Sequence, residues 1–83
     1  MNREQIIKQI GKKISHEIIK QPNRTISQNE PIISSGLIDS FSLVDLALAV
    51  EDVFGVHIED TELNAKCFDS LSELADLVIS KKT

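Results

Sequence analysis

Five isoleucines near the start of the chain, Ile6, Ile7, Ile10, Ile14 and Ile18, recur at intervals of three and four, the period of one helix face. The spacing predicts a helix over residues 3–20, with Asn2 and Gln5 as a capping box and Pro22 as its stop. Isoleucine is a modest helix former, so packing must hold this helix. Residues 21–38 carry both prolines, a glycine and several Ser, Asn and Gln side chains, which predicts a long loop. A loop of that length needs anchors inside a compact domain, and Ile26, Ile32, Ile33, Leu37 and Ile38 are the candidates.

The second helix is expected from Asp39 or Ser40 to Phe54, with Asp39 as N-cap and Gly55 as C-terminal stop. At 100° per residue its core side holds Leu43, Leu46, Ala47, Val50, Val53 and Phe54. The opposite side holds Ser40, Phe41, Val44, Asp45, Leu48, Glu51 and Asp52. An apolar stripe rimmed by acids is a pattern of contact surfaces, although scattered surface apolar groups are ordinary. A short third helix is expected over residues 61–66, capped by Asp60. The last helix begins near Ser70, with Ser70 and Glu73 as a capping box and Leu71, Leu74, Ala75, Leu77 and Val78 facing inward. Lys81 and Lys82 complement its C-terminal dipole. The expected fold is all-α: a small four-helix bundle with three main helices, one short helix and a long first loop.

With 83 residues, the chain is expected to form one small domain over residues 1–83. A single cysteine forms no intrachain disulfide, so core packing must supply the stability. Aromatic content is 4%, all Phe, which argues against a base-stacking nucleic-acid surface. No apolar run approaches the roughly 18 residues that span a bilayer, and the N-terminal segment lacks the pattern of a signal peptide. A cytoplasmic monomer that binds neither nucleic acid nor membrane is the expectation. The net charge of −4 conceals a gradient: residues 1–29 hold six basic and two acidic side chains, while residues 30–65 hold eight acids and no Lys or Arg. Such an acidic segment repels nucleic acid and steers basic protein partners; a plain solvated face is the alternative.

Catalytic chemistry is scarce. His16 and His57 have no metal-ligand spacing and read as surface or partly packed histidines. Cys67 has only Lys66 beside it and reads as a half-buried structural cysteine rather than a reactive thiol. The acids at 59–62 lack the alternation and glycine of a calcium loop. No metal site and no catalytic residue is expected. Ser40, by contrast, stands at a loop-to-helix junction, where the helix dipole and free N–H groups favour an esterified phosphate. Many helices begin with an unremarkable serine, so its surroundings decide.

Those surroundings are Asp-Ser-Phe-Ser-Leu-Val-Asp-Leu from Asp39, followed by Glu51-Asp52-Val53-Phe54-Gly55-Val56. Together they resemble the acyl carrier protein family, which includes peptidyl and D-alanyl carriers. The resemblance covers roughly residues 35–80. It implies a non-catalytic carrier in which Ser40 bears 4′-phosphopantetheine through a phosphodiester, installed by a phosphopantetheinyl transferase, with cargo held as a thioester. Asp39 matches the signature aspartate before the serine. Phe41, Val44, Asp45, Leu48, Glu51 and Asp52 match the partner-recognition helix. Leu-Ile-Asp-Ser-Phe in place of Gly-Ala-Asp-Ser-Leu, with a first helix basic at Lys8, Lys12, Lys13 and Lys20, is closer to D-alanyl carriers and freestanding carriers of specialised pathways. An acyl- or aminoacyl-loading ligase of the adenylate-forming type and a downstream acyltransferase or synthase are the partners this implies. An unmodified helical interaction module is the competing reading, and a small enzyme built on Cys67 or a histidine the weakest.

Overall fold

The computed structural model describes residues 2–82. Its α-helices are α1 (Arg3–Lys13), α2 (Ser40–Phe54) and α3 (Leu71–Lys82), and no strand occurs among the described residues. The all-helical expectation holds. A 3-10 turn over Asp60–Glu62 stands where a short third helix was expected over residues 61–66, so three α-helices and this turn replace the expected four helices. Its N-cap is Glu59 rather than Asp60, and the Glu59 N–H donates to Glu62 Oε1 at 2.9 Å. Glu62 also meets Lys81 Nζ at 2.8 Å, which ties this turn to the end of α3. Asn64 ends the segment: its Oδ1 accepts from the N–H groups of Lys66 and Cys67.

The first helical segment reaches Ile18, but its last five residues, Ile14–Ile18, form a π-helix. The wider turn keeps Ile14 and Ser15 both buried, and the Ser15 hydroxyl donates to the Arg24 carbonyl at 2.8 Å. Lys20 then takes a left-handed φ of 55°, which ends the helix two residues before Pro22. At the other end, Asn2 caps α1 by accepting from the Glu4 N–H at 2.7 Å.

The core joins Ile6, Ile10 and Ile14 to Leu43, Leu46 and Val50 of α2 and to Leu71, Leu74 and Val78 of α3. The long loop contributes through its candidate anchors. Ile26, Ile32 and Ile38 are buried, and Ile33 and Leu37 pack against the cluster. Ile32, fully buried, gains the roughly 1.5–3 kcal/mol of a sequestered aliphatic side chain. Phe68 enters the same cluster from the turn before α3. Val53 departs from its predicted core position and is 38% exposed. It lies at the edge of the α2 stripe, where it lines a small notch facing the first helix with Gln9, Ile10 and Lys13.

The capping box of α3 is shifted by one residue. The Ser70 hydroxyl accepts from the Glu73 N–H at 3.2 Å, but Glu73 Oε1 accepts from the Asp69 N–H at 2.9 Å. Cys67 is exposed rather than half-buried, because the Asn64-capped turn spends its inward position on Phe68. Among the described residues, no buried side-chain nitrogen or oxygen lacks a hydrogen-bond partner.

Candidate functional site: the start and outer face of the second helix

Asp39 is extended, with ψ 176°, and its Oδ1 accepts from the Ser42 N–H at 2.7 Å. The Ser42 backbone N–H, helped by the Ser42 hydroxyl and the Phe41 N–H, holds the Asp39 carboxyl below the ordinary carboxylate range. Asp39 thus performs the capping role its position implied.

Ser40 is the first residue of α2 and is exposed. Among the described residues its hydroxyl makes no hydrogen bond. It stands where the first N–H groups of a helix have no intrahelical acceptor. Four residues earlier, Gly36 has φ 82° with no heavy atom within 4 Å of where a Cβ would stand.

Beyond Ser40, Phe41 is 85% exposed, Val44 50% and Leu48 60%. Spaced by three and four, they form one stripe along the solvent side of α2. Asp45, Glu51 and Asp52 are exposed on the same helix. The structure therefore brings together the seven residues that the sequence placed opposite the core stripe.

Residues outside α2 extend this face. Glu17 and the half-buried Ile18, from the π-helical turn, join Asp45, Leu48 and Asp52 around a shallow groove of about 480 Å³. Lys13 also lines it and is tied to Glu17 at 2.7 Å. Only the docking of the first helix against α2 makes this juxtaposition, so it carries no local sequence signal. His57 is a second such residue. Its Nδ1 lies 2.8 Å from Glu51 Oε1 and its Nε2 3.6 Å from Glu59 Oε1. The Glu51 hydrogen bond, then the Glu59 charge, push the imidazole pKa above its ordinary value. Gly55, left-handed with φ 69°, turns the chain back so that His57 meets the last turn of α2.

His16 and His57 are both exposed, and no group of three or more His, Cys, Asp or Glu side chains suited to a metal occurs among the described residues. No helix among them is long and apolar enough to cross a membrane.

Comparison with known proteins identifies the family. Residues 9–78 match the family model described as "Phosphopantetheine attachment site". The chain is also 30% identical over 80 residues to an acyl carrier protein of Coprothermobacter proteolyticus, covering 96% of this chain and 94% of that protein. The match runs from within the first helix through the loop and α2 into α3, so it extends well beyond the Asp-Ser pair. The chain belongs to the acyl carrier protein family and is a non-catalytic carrier that bears 4′-phosphopantetheine covalently.

Proposed function

We propose that Ser40 is the residue that carries the phosphopantetheine arm, and that the outer face of α2 presents this arm to partner enzymes. The observation that carries the reading is the exposed Ser40 hydroxyl, without a partner among the described residues, on the first residue of a capped helix. A phosphodiester there gains from the helix dipole. Asp39 keeps the helix start fixed by its bond to Ser42. When bound, the group supplies a terminal thiol that holds cargo as a thioester and raises its effective concentration at the partner by tethering.

The chain's own contribution is recognition. Phe41, Val44 and Leu48 supply apolar contact, and Asp45, Glu51 and Asp52 steer basic surfaces toward it. The first partner in this reading is a phosphopantetheinyl transferase. A loading ligase of the adenylate-forming type follows, and then an acyltransferase or synthase that takes the cargo. The carrier works as a cytoplasmic monomer of one domain, with the 3-10 turn and its flanks in the place of the bundle's short helix.

The cargo in this reading is short or polar, an aminoacyl or small acyl group of a specialised pathway; D-alanyl is one candidate. The support is the tightness of the helix packing. The notch between the first helix and α2, beside Ile10, Leu46 and Val50, offers only about 10 Å³, room for at most one water. β-branched side chains line much of the core and are stiff at χ1. Comparing amide chemical shifts of the holo form loaded with acetyl, aminoacyl and octanoyl groups tests this. Large shifts at core positions of α2 and α3 with octanoyl alone would overturn the short-cargo reading.

The attachment reading is tested by intact mass after incubation with coenzyme A and a broad-specificity phosphopantetheinyl transferase, followed by peptide mapping. One adduct on the peptide containing Ser40 is the expected result. An adduct on any other residue rejects the assignment.

A further inference from the structure

Lys8, Lys12 and His16 stand four residues apart along the first helix, all exposed. Among the described residues none of the three makes a side-chain hydrogen bond or ion pair. They border a groove of about 380 Å³, with Arg24 on the loop that closes it. Arg24 is paired with Glu30, but no acidic residue lines the groove, and none of its lining residues belongs to α2. Its floor combines apolar Ile7, Ile26 and Leu71 with Ser15, whose hydroxyl is already satisfied by the Arg24 carbonyl. Ile26 and Leu71 are both buried, and a Cβ on Gly11 would stand 3.3 Å from Leu71 Cδ1, so the helix lies close over the start of α3 there.

We propose that this cationic groove of the first helix and first loop is a second docking surface, for an acidic protein segment that places an apolar side chain between Lys8, Lys12 and Arg24. Charge complementarity selects that occupant. The rim carries unneutralised lysines while the chain as a whole carries −4. A long-range attraction for polyanions such as nucleic acid is therefore absent, whereas a local contact within a Debye length survives. A bilayer surface fits less well, since membrane-binding faces insert protruding apolar groups and Ile26 and Leu71 are recessed. A recess with a basic rim receives a side chain instead. Because α2 contributes nothing to the groove, a partner held there leaves Phe41, Val44 and Leu48 uncovered. The carrier can then stay attached to an acidic scaffold while a second protein works at α2, with the gain in effective concentration that two linked contacts bring. The proposal is independent of which residue carries the arm.

The test is an amide-shift titration of the full apo chain with a synthetic acidic peptide in which glutamates flank leucines, at low salt. Binding tighter than about 1 mM is expected, with the largest shifts at Lys8, Gly11, Lys12 and Thr25. Lys8→Glu with Lys12→Glu should weaken it at least about tenfold, while the charge-neutral Ser40→Ala should leave it unchanged. The milder Lys8→Gln with Lys12→Gln pair should give a smaller loss and decides the matter if the reversed pair fails to fold. Absence of binding, shifts centred on α2, or equal binding by the glutamine pair would overturn the proposal. So would binding to phosphatidylglycerol vesicles without binding to the peptide, which would make the groove a lipid surface. Loss of binding in Ser40→Ala would also count against it, since the groove would then not be separate from the attachment site.

Discussion

The carboxylate of Asp69 receives the Ser34 backbone N–H at 2.9 Å and also the Ser34 hydroxyl, across 35 residues of sequence. The same carboxylate accepts from the Ile33 N–H at 2.8 Å, and the Asp69 carbonyl accepts from the Ile32 N–H at 2.7 Å. One residue just before α3 thus holds the stretch of loop that leads into Asp39 and Ser40. It turns a segment with few local constraints into a fixed approach to the candidate attachment serine.

Asp69→Asn is therefore expected to loosen the loop without dissolving the helices. The Ser34 hydroxyl, then the N–H groups of Ser34, Ile33 and Ile32, hold the Asp69 carboxyl below its ordinary range. A carboxylate depressed on folding stabilises the native state above about pH 4 and loses that contribution as pH falls through its folded value. The substitution should cost about 1–2 kcal/mol at neutral pH, after allowance for solvent screening. Denaturant melts of both proteins from neutral to acid pH check this, and the difference between them should shrink toward the acid end.

Ile32→Ala should cost more than a loop substitution ordinarily does. Its side chain is fully buried in the main cluster, and truncation of a buried isoleucine to alanine costs about 2–5 kcal/mol. Chemical denaturation measures it. An effect below about 0.5 kcal/mol would mean that the loop is not part of the cooperative core.

Ser40→Ala should abolish phosphopantetheine addition and leave the melting curve nearly unchanged, because Asp39 makes the cap and the Ser40 hydroxyl bonds nothing among the described residues. Intact mass and circular dichroism read the two halves of this expectation. Continued modification of the alanine variant would move the attachment site elsewhere.

Reversing Asp45 and Asp52 to Lys should slow modification by the transferase by about tenfold or more at low salt, with less effect at high salt. Glu51→Lys alone should do less at neutral pH, since His57 already sits 2.8 Å from its carboxylate. Modification rates at two salt concentrations measure both. Equal rates for wild type and the double variant would show that this face is not where the transferase docks.

The Glu51–His57 contact also predicts a pH trend in stability. Glu51, and secondarily Glu59, raise the His57 pKa, against opposing contributions from partial desolvation and Lys81. A histidine raised on folding stabilises fully below its unfolded value of about 6.5 and loses that contribution as pH rises through the folded value. Wild type should therefore melt above His57→Gln in mildly acidic buffer, and the two should converge as pH rises past neutral. Parallel melting curves across that range would mean the contact contributes nothing.

Periodicity and end signals together placed the three α-helices. The isoleucine ladder, the Asp39 cap, the Gly55 stop and the apolar stripe of α3 encode short-range geometry, and the structure realises each of them. The Ser40 junction and the Phe41–Val44–Leu48 stripe were legible for the same reason: helix spacing decides which side chains share a face. Local pattern stops where the chain must choose between neighbours in space. The π-helical turn at Ile14–Ile18 depends on burying Ile14 and Ser15 together. The exposure of Val53 depends on what stands opposite the edge of α2. The 3-10 turn in place of a short helix brings Glu62 to Lys81 of α3, a contact made only once α3 has docked. Asp69, separated by 35 residues from the N–H group and hydroxyl of Ser34 that it holds, had no signal in the sequence at all. Hydrogen bonds of that span exist only once α3 has docked, so tertiary packing decided how the loop is held and how its path leads to Ser40.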